Sequence, residues 1–261
     1  MSVKDRRIPR TLTVKSTVNL TPNMRRVTLR GGSSACFPDG SEGTYIKLLF
    51  TRAGGAKPIT RTYTVARQRH SENEIDVDFM LHSRDNSSVD GVAAPWSMST
   101  QPGDQISVAG PGRASFINTD AAYFLLAADM TALPALAANL KRLPDDARGQ
   151  IFVEILSEED KQNLSKPEKL ELSWVVNDNP GSDESPLFHA LRQAVLPTGK
   201  LSAWVACEFK SMRKIRHYLK TGQNMEKSHL YISSYWKRGS TEEQHKIAKQ
   251  ADTDDRGDLH K

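Results

Sequence analysis

The sequence predicts a two-part fold: a six-stranded antiparallel β-barrel, then a doubly wound, mostly parallel α/β sheet. Up to about residue 115, short runs alternate apolar and polar residues between turn residues, which is typical of half-buried antiparallel strands. Beyond it, continuously apolar runs alternate with helical patterns, which is typical of parallel strands buried on both faces. We therefore place a barrel at 1–116, an α/β domain at 117–239 and a helical extension and tail at 240–261.

The first half contains about six short strand patterns and no strong helical pattern, which predicts a small closed barrel. The strand patterns lie around Leu12 and Val14, around Val27 and Leu29, at 44–50, at 61–68, at 75–81, and around Ile106 and Val108. Turns are predicted between them at 31–32, 38–40 and 53–58, where glycine and proline are frequent.

The second half begins with the apolar run 123–128. Further strand patterns follow at 151–156, 172–176, 201–206 and 229–233, with helices predicted at 131–143, 186–196 and 209–220. Thr131 is the predicted N-cap of the first helix, and Pro134 lies in its first turn. On the last helix, the basic residues opposite its apolar face are expected in solvent: Lys210, Arg213, Lys214 and Arg216.

Composition excludes several classes of protein. The chain has 261 residues, of which 38% are hydrophobic, enough for two cores. Lys plus Arg number 36 against 31 Asp plus Glu, a mild excess that favours a local anionic ligand over a nucleic acid. No apolar run is long enough for a membrane span, and the first residues lack a secretory signal pattern, so we expect a cytoplasmic protein. Cys36 and Cys207 have no zinc-site spacing and are expected to pack in the interior.

The run 61–64 has an unusual set of side chains for a strand. Side chains on a strand alternate between faces, so Arg61 and Tyr63 share one face, and Thr62 and Thr64 share the other. Such a strand can offer one ligand a cation, an aromatic ring and a hydroxyl group. Taken alone, the run is equally consistent with an ordinary surface strand, because Thr and Tyr favour strands.

Seven further motifs, together with this run, resemble the siderophore-interacting proteins, the flavin-dependent ferric-siderophore reductases of the ferredoxin reductase superfamily. The run "RTYTV" at 61–65 resembles the flavin signature of that superfamily. The others occur in the same order along nearly the whole chain: "DVDFMLH" at 76–82, "GVAAPW" at 91–96, "QPGD" at 101–104, "VAGPGRAS" at 108–115, "LLAADMTALPAL" at 125–136, "WVACE" at 204–208 and "YWKRG" at 235–239.

The resemblance implies that the barrel binds FAD. Tyr63 would lie against the isoalloxazine ring, Thr64 would bond near its reactive nitrogen, and these two are the predicted catalytic residues. Arg61 would neutralise phosphate charge, and His82 would close a neighbouring strand. A short helix would direct backbone N–H groups at the pyrophosphate; its predicted contacts are Val92, Ala93, Ala94, Trp96 and Ser97. This segment lacks a serine hydroxyl that relatives have, so backbone donors would replace it.

The resemblance also implies a nicotinamide cofactor at the strand ends of the α/β domain. The predicted contacts are Asp129, Thr131, Ala132, Glu208, Tyr235 and Trp236, although Asp129 and Thr131 could simply cap the start of a helix. Met130 stands where the family usually has an acid, and Cys207 stands where glycine is common. No isolated arginine pair marks a 2′-phosphate pocket, so the choice between NADH and NADPH stays open.

For the substrate, the resemblance implies a ferric siderophore, which brings its own iron ligands and is often anionic. A reductase for it needs cations and no protein ligand for the metal. Lys47 is the first candidate because it interrupts an apolar strand and matches a substrate-binding lysine of the family. The other candidates are Arg113, Arg238 and Lys246, although a solvated basic residue is an equally good interpretation of each.

The activity implied by the resemblance passes electrons from NAD(P)H through FAD to chelated Fe(III), so that Fe(II) is released. Ferredoxin is an alternative donor, and a monomer is expected. Two other functions stay open: another flavoreductase of the superfamily, and a non-enzymatic binder of an anionic ligand.

Overall fold

The structure is a computed structural model that describes residues 8–32, 36–81, 91–223 and 225–257. In its first half, six antiparallel strands close a barrel in the order β1-β2-β5-β4-β3-β6. They are β1 Arg10–Thr21, β2 Met24–Gly31, β3 Tyr45–Phe50, β4 Ile59–Arg69, β5 Glu74–Met80 and β6 Gln105–Ala109. A short helix, α1 Ala93–Ser99, precedes β6. The barrel predicted from the alternating runs is confirmed.

The barrel wall has an apolar inner face and an ion-paired outer face. Val27, Leu48 and Val77 are fully buried inside, as the period of two requires. On the outer face, Arg26 donates two hydrogen bonds to Asp78, at 2.6 and 2.7 Å. These ion pairs bury polar residues that the alternating pattern alone would place in solvent.

The second half is a five-stranded parallel sheet in the order β11-β10-β7-β8-β9, with helices on both faces. Its strands are β7 Tyr123–Asp129, β8 Gly149–Ile155, β9 Leu170–Val176, β10 Leu201–Glu208 and β11 Leu230–Trp236. Its helices are α2 Leu133–Leu140, α3 Pro186–Arg192 and α4 Phe209–His217. The doubly wound sheet is therefore confirmed, and its carboxyl edge carries the ends of β7, β8 and β10.

Three local predictions were wrong. Thr131 is not the cap of α2. It lies in a short turn, and its own backbone N–H and hydroxyl donate hydrogen bonds to Asp129. Arg216 is buried, because it forms two 2.6 Å hydrogen bonds to Asp252 of the C-terminal segment. Cys207 is buried as expected, but Cys36 is exposed.

The C-terminal segment forms one more helix, α5 Glu242–Gly257, which packs against β11 and α4. His245 is buried in this contact, and its Nε2 lies 2.8 Å from the hydroxyl oxygen of Ser234. Burial lowers the pKa of His245 to about 4, so its ring is neutral at physiological pH. The helix is therefore an integral part of the folded chain.

Polar contacts join the barrel to the α/β sheet. Asp160, in the loop after β8, is fully buried and accepts hydrogen bonds from Thr21 at 2.7 Å and from the side chain of Asn23 at 2.9 Å. Lys141 reaches Glu42 of the barrel at 2.7 Å. In the part of the chain that the structure describes, no helix is long and apolar enough to cross a membrane.

Candidate functional site

Strand β4 has an open edge where it carries the run 61–64. Residues Ile59 to Thr64 pair with β3, but pairing with β5 begins only at Val65. The backbone N–H of Val65 donates to Thr44, next to β3, so the N–H groups of Thr62 and Thr64 point the other way. Backbone donors are therefore directed to an edge where no neighbouring strand pairs with them.

The two faces of this strand differ as the alternation predicts. Arg61 and Tyr63 lie opposite the buried residues Leu48 and Ile46. Thr62 and Thr64 lie opposite Lys47 and Tyr45, on the outer face of the barrel. A planar ligand along the open edge could therefore contact Tyr63 from one face and Thr64 from the other.

Tyr63 belongs to an aromatic cluster at the end of the barrel. Its ring lies 4.5 Å from that of Phe79, which in turn lies 5.7 Å from the ring of Trp96 on α1. Burial raises the pKa of Tyr63 well above its usual value, so the phenol stays neutral. Tyr63 and the α1 segment, which sequence reasoning assigned to one cofactor, are thus close together.

The predicted pyrophosphate segment is only partly fixed by contacts within the chain. In α1, Ala93 and Ser97 are buried, and the Ser97 hydroxyl donates to the carbonyl oxygen of Ala94. Val92 is the residue before the helix and is half-buried. His82 lies outside the described residues. Whether these side chains contact a pyrophosphate stays a prediction.

Helix α5 reaches the open edge of β4, which the sequence did not predict. Thr62 donates its backbone N–H and its hydroxyl to Glu242, at 2.8 and 2.7 Å. Lys246 lies 2.9 Å from the same carboxylate, and Glu243 lies 3.9 Å from Arg61. The C-terminal extension therefore contributes charged side chains to the strand with the flavin-type run.

Buried carboxyl groups line the carboxyl edge of the sheet. Asp129 ends β7, accepts two hydrogen bonds from Thr131, and accepts one from the indole of Trp236 at 2.8 Å. Glu208 ends β10 and accepts from the backbone of Lys210 at 2.5 Å and of Arg238 at 3.3 Å. Burial raises the pKa of Asp129. These two predicted contacts therefore have roles within the fold, as cap residues.

Glu154, a third carboxyl group at this edge, was missed. It lies on β8, is almost fully buried, and lines a small cavity of about 10 Å³ with Met80, Asp129 and Trp236. Its Oε2 atom has no hydrogen-bond partner among the described residues. Burial raises the pKa of Glu154 to about 7, and the nearby charge of Asp129 adds to the effect. The available signal was a glutamate inside the apolar run 151–156.

We expect the replacement of Glu154 by glutamine to stabilise the protein at pH 8 and to stabilise it much less at pH 5. The folded-state pKa is above the usual value, so stability is present at low pH and is lost as the pH rises towards 7. The full shift corresponds to at most about 3 kcal/mol. Unfolding midpoints measured at both pH values, with the exposed Glu168→Gln as control, test this. Equal shifts at the two pH values would contradict it.

The last two residues of β11, Tyr235 and Trp236, lie in different surroundings. Trp236 lines the cavity beside Met80 at the end of β5, so it faces the junction with the barrel. Tyr235 is half-buried and packs on the core of the α/β domain, and burial raises its pKa. Ala132 is fully buried beneath the first turn of α2. Arg238 donates to Asn179 in the loop after β9.

Three of the four predicted substrate cations border the outer face of β3 and β4. Lys47 lies opposite Thr62, whose hydroxyl bonds Glu242, and Glu242 in turn pairs with Lys246. Arg113 follows Gly112, whose N–H donates to the carbonyl oxygen of Tyr45 at 2.8 Å. Arg238 donates instead to Asn179 and to the carbonyl oxygen of Pro180, in the loop after β9. The structure thus links Lys246 to the neighbour of Lys47 through Glu242, and the residue before Arg113 contacts the same strand.

A wider depression of about 430 Å³ lies on the outer barrel wall, away from these residues. Its charges are largely paired with one another, as in the contacts of Arg69 with Glu74 and Asp76. It therefore does not offer the excess charge that an ionic ligand needs. Among residues 8–32, 36–81, 91–223 and 225–257, no group of three or more His, Cys, Asp or Glu side chains is placed to hold a metal ion.

Comparison with known proteins identifies the family. The family model described as siderophore-interacting protein matches residues 121–239. The ferric vibriobactin reductase ViuB of Vibrio cholerae is 33% identical, over 92% of this chain and 93% of its own. The chain belongs to the siderophore-interacting protein family. A second model of the family, the siderophore-interacting FAD-binding domain, matches 13–58 and 51–115, so the barrel is the FAD-binding domain.

Two further relatives match this chain over most of their own length. The crystal structure of the siderophore-interacting protein SipS from Aeromonas hydrophila superposes with a TM-score of 0.82 and 29% identity, covering 95% of this chain and 99% of SipS. The NADPH-dependent ferric-chelate reductase of Escherichia coli is 25% identical, over 87% of this chain and 92% of its own. The correspondence therefore extends over both halves of the chain.

The residues present fit the FAD that this family's barrel binds. The open edge of β4 offers the N–H of Thr64, and the half-buried ring of Tyr63 packs on Phe79, which also contacts Trp96 of α1. Arg61, on the same face as Tyr63, is 16% exposed and lies 3.9 Å from Glu243. A flavin and its phosphates would thus find an edge donor, an aromatic ring and a guanidinium group.

Proposed function

We propose that the protein is an FAD-dependent ferric-siderophore reductase that takes electrons from NADH or NADPH and releases iron as Fe(II). One observation carries the proposal: the end of β5, the barrel strand that leaves the edge of β4 open, meets the carboxyl edge of the α/β sheet. Met80 of the barrel lines the same cavity as Trp236 and Asp129. Bound FAD would convert a hydride into single electrons, chemistry that the side chains cannot supply.

The residues of the chain have separate roles in this proposal. Tyr63 and Thr64 bind and orient the flavin, Arg61 neutralises phosphate, and the start of α1 supplies backbone donors. Trp236, with Asp129 beneath it, forms the nicotinamide side of the junction. Lys47, Arg113 and Lys246 attract the anionic chelate. The iron arrives fully coordinated by the siderophore, so the protein needs to supply position and charge only.

The remaining proposals concern the setting of the reaction. The E. coli relative is named for NADPH, while the strand ends here leave NADH equally open and ferredoxin as an alternative donor. We propose a cytoplasmic monomer, with domain limits at 1–116, 117–239 and 240–261. The last limit separates α5, which nevertheless contacts β4 through Glu242.

Anaerobic mixing tests the proposal. We expect NADH or NADPH to bleach the flavin absorbance of the purified protein, and a ferric siderophore to restore it while an Fe(II) indicator develops colour. Bleaching without reoxidation by any ferric chelate would favour another flavoreductase activity. A purified protein that carries no flavin and takes none up would leave only a binding function.

A further inference from the structure

Tyr45 is an exposed aromatic residue on the outer face of β3. Its side chain is 43% exposed, whereas the residues on either side of Lys47, Ile46 and Leu48, are fully buried. Aromatic side chains stabilise a fold chiefly by burial, so a tyrosine with this exposure contributes less than it could. Its position therefore calls for an explanation other than packing.

The ring is held against the turn that follows β6. Gly112 donates its N–H to the carbonyl oxygen of Tyr45, at 2.8 Å. A Cβ atom added to Gly112 would lie 1.9 Å from the Tyr45 ring, so the ring lies directly on the glycine backbone. A ring fixed in this way loses little further freedom when a ligand stacks on its other side.

Cations flank this ring. Lys47 lies two residues further along the strand and therefore on the same face. Arg113 follows Gly112 directly, and it is exposed. The nearby carboxylate of Glu242 is paired with Lys246. The ring thus shares a strand face with Lys47 and packs on the glycine next to Arg113, a combination that suits an anion carried on an aromatic ring.

We infer that Tyr45 is a specificity-determining residue that stacks on an aryl ring of the ferric chelate. The substrate class it selects is aryl chelates, in which catecholate or phenolate oxygens hold the iron. Lys47 and Arg113 then face the negative oxygens while Tyr45 contacts the ring that bears them. This inference rests on the proposed function, but it concerns ring recognition and not charge.

Two gallium(III) chelates of equal charge separate ring recognition from charge. One is a hexadentate tris-catecholamide of charge −3, and the other is trioxalatogallate, also −3 and without an aromatic ring. Gallium is not reduced, so the full chain with its flavin can be titrated at equilibrium. We expect Tyr45→Leu to weaken binding of the catecholamide about three- to tenfold, the usual contribution of an aromatic pair, and to leave the oxalate unchanged.

Variants of the same position control for other effects. Tyr45→Phe keeps the ring and should bind both chelates as the wild type does. Tyr45→Thr removes the ring but keeps a strand-forming residue, so it is a second ringless variant in case Tyr45→Leu folds poorly. We expect it to lose affinity for the catecholamide and to bind the oxalate as the wild type does. Val195→Ala, at an exposed apolar residue of the α/β domain, should change neither affinity.

The outcomes separate the inference from the function on which it rests. If the wild type binds neither chelate, charge recognition and ring recognition both fail. If the wild type binds both chelates, two results would contradict the inference: the ringless variants lose affinity equally for the two, or they keep full affinity for both. In either case Tyr45 does not recognise an aryl ring. That result would leave the proposed reductase activity intact.

Discussion

Replacing Tyr63 by leucine is expected to weaken FAD binding about ten- to a hundredfold. The ring lies at the end of the barrel, beside Phe79 and close to Trp96, and the open edge of β4 begins at the same residues. Loss of the stacked ring removes both aromatic contact and buried apolar area, together about 1.4–2.8 kcal/mol. Leucine is chosen over alanine because it preserves part of the packing on Phe79.

The measurement is a titration of the apoprotein with FAD, followed by flavin fluorescence. Tyr123→Leu is the matched control. This half-exposed tyrosine begins β7, at the end of the α/β sheet opposite its carboxyl edge, so its replacement should leave the FAD affinity unchanged. Thermal midpoints of the two apoproteins separate loss of stacking from loss of fold. An affinity within twofold of wild type, or a preference for FMN, would exclude the assigned role of Tyr63.

Both halves of the fold could be predicted because their patterns are local. Alternation with a period of two identifies half-buried strands, and a run such as 151–156 identifies a strand buried on both faces. The same locality explains the failure at Arg216. Helical periodicity assigns this arginine to the polar face of α4, but Asp252, which pairs with it, lies 36 residues later in the chain.

The site was predicted less completely because its decisive features are tertiary. The edge of β4 is open because pairing with β5 reaches only Val65, and the register shifts between Val65 and Arg67, where the strand carries no Gly or Pro to mark a bulge. Contact between Thr62 and Glu242 joins residues 180 positions apart. Glu154 did leave a signal, a charged residue in an apolar run, and its burial is what raises its pKa.

The location of α5 links the C-terminal extension to the predicted flavin strand. Glu242 accepts the N–H of Thr62, which points to the same edge as the N–H of Thr64. A carboxylate at this position places negative charge at the edge where, in our proposal, the flavin binds. The helix is anchored by His245 and by Asp252 at buried contacts, so this charge is held in place by the fold.

Replacing both Lys47 and Arg113 by alanine is expected to weaken binding of an anionic tris-catecholate about ten- to thirtyfold. Lys47 lies on the outer face of β3, and Arg113 follows the turn against Tyr45, so both cations border one surface. Each exposed charge contributes roughly 0–1 kcal/mol, and a chelate of charge −3 interacts with both at once. A neutral ferric hydroxamate should bind the variant almost as well as the wild type.

Salt dependence distinguishes charge recognition from a change of shape. Salt screens charges beyond about 8 Å at physiological ionic strength, so the wild type should lose affinity for the anion as salt rises, and the variant should lose much less. Lys169→Ala with Arg192→Ala removes the same net charge from exposed residues of the α/β domain and should preserve the wild-type slope. Reduction of the flavin by the nicotinamide should survive in both double variants, because neither pair lies at the carboxyl edge of the sheet. Equal losses for neutral and anionic chelates, or an unchanged salt slope, would show that Lys47 and Arg113 do not recognise the substrate by charge.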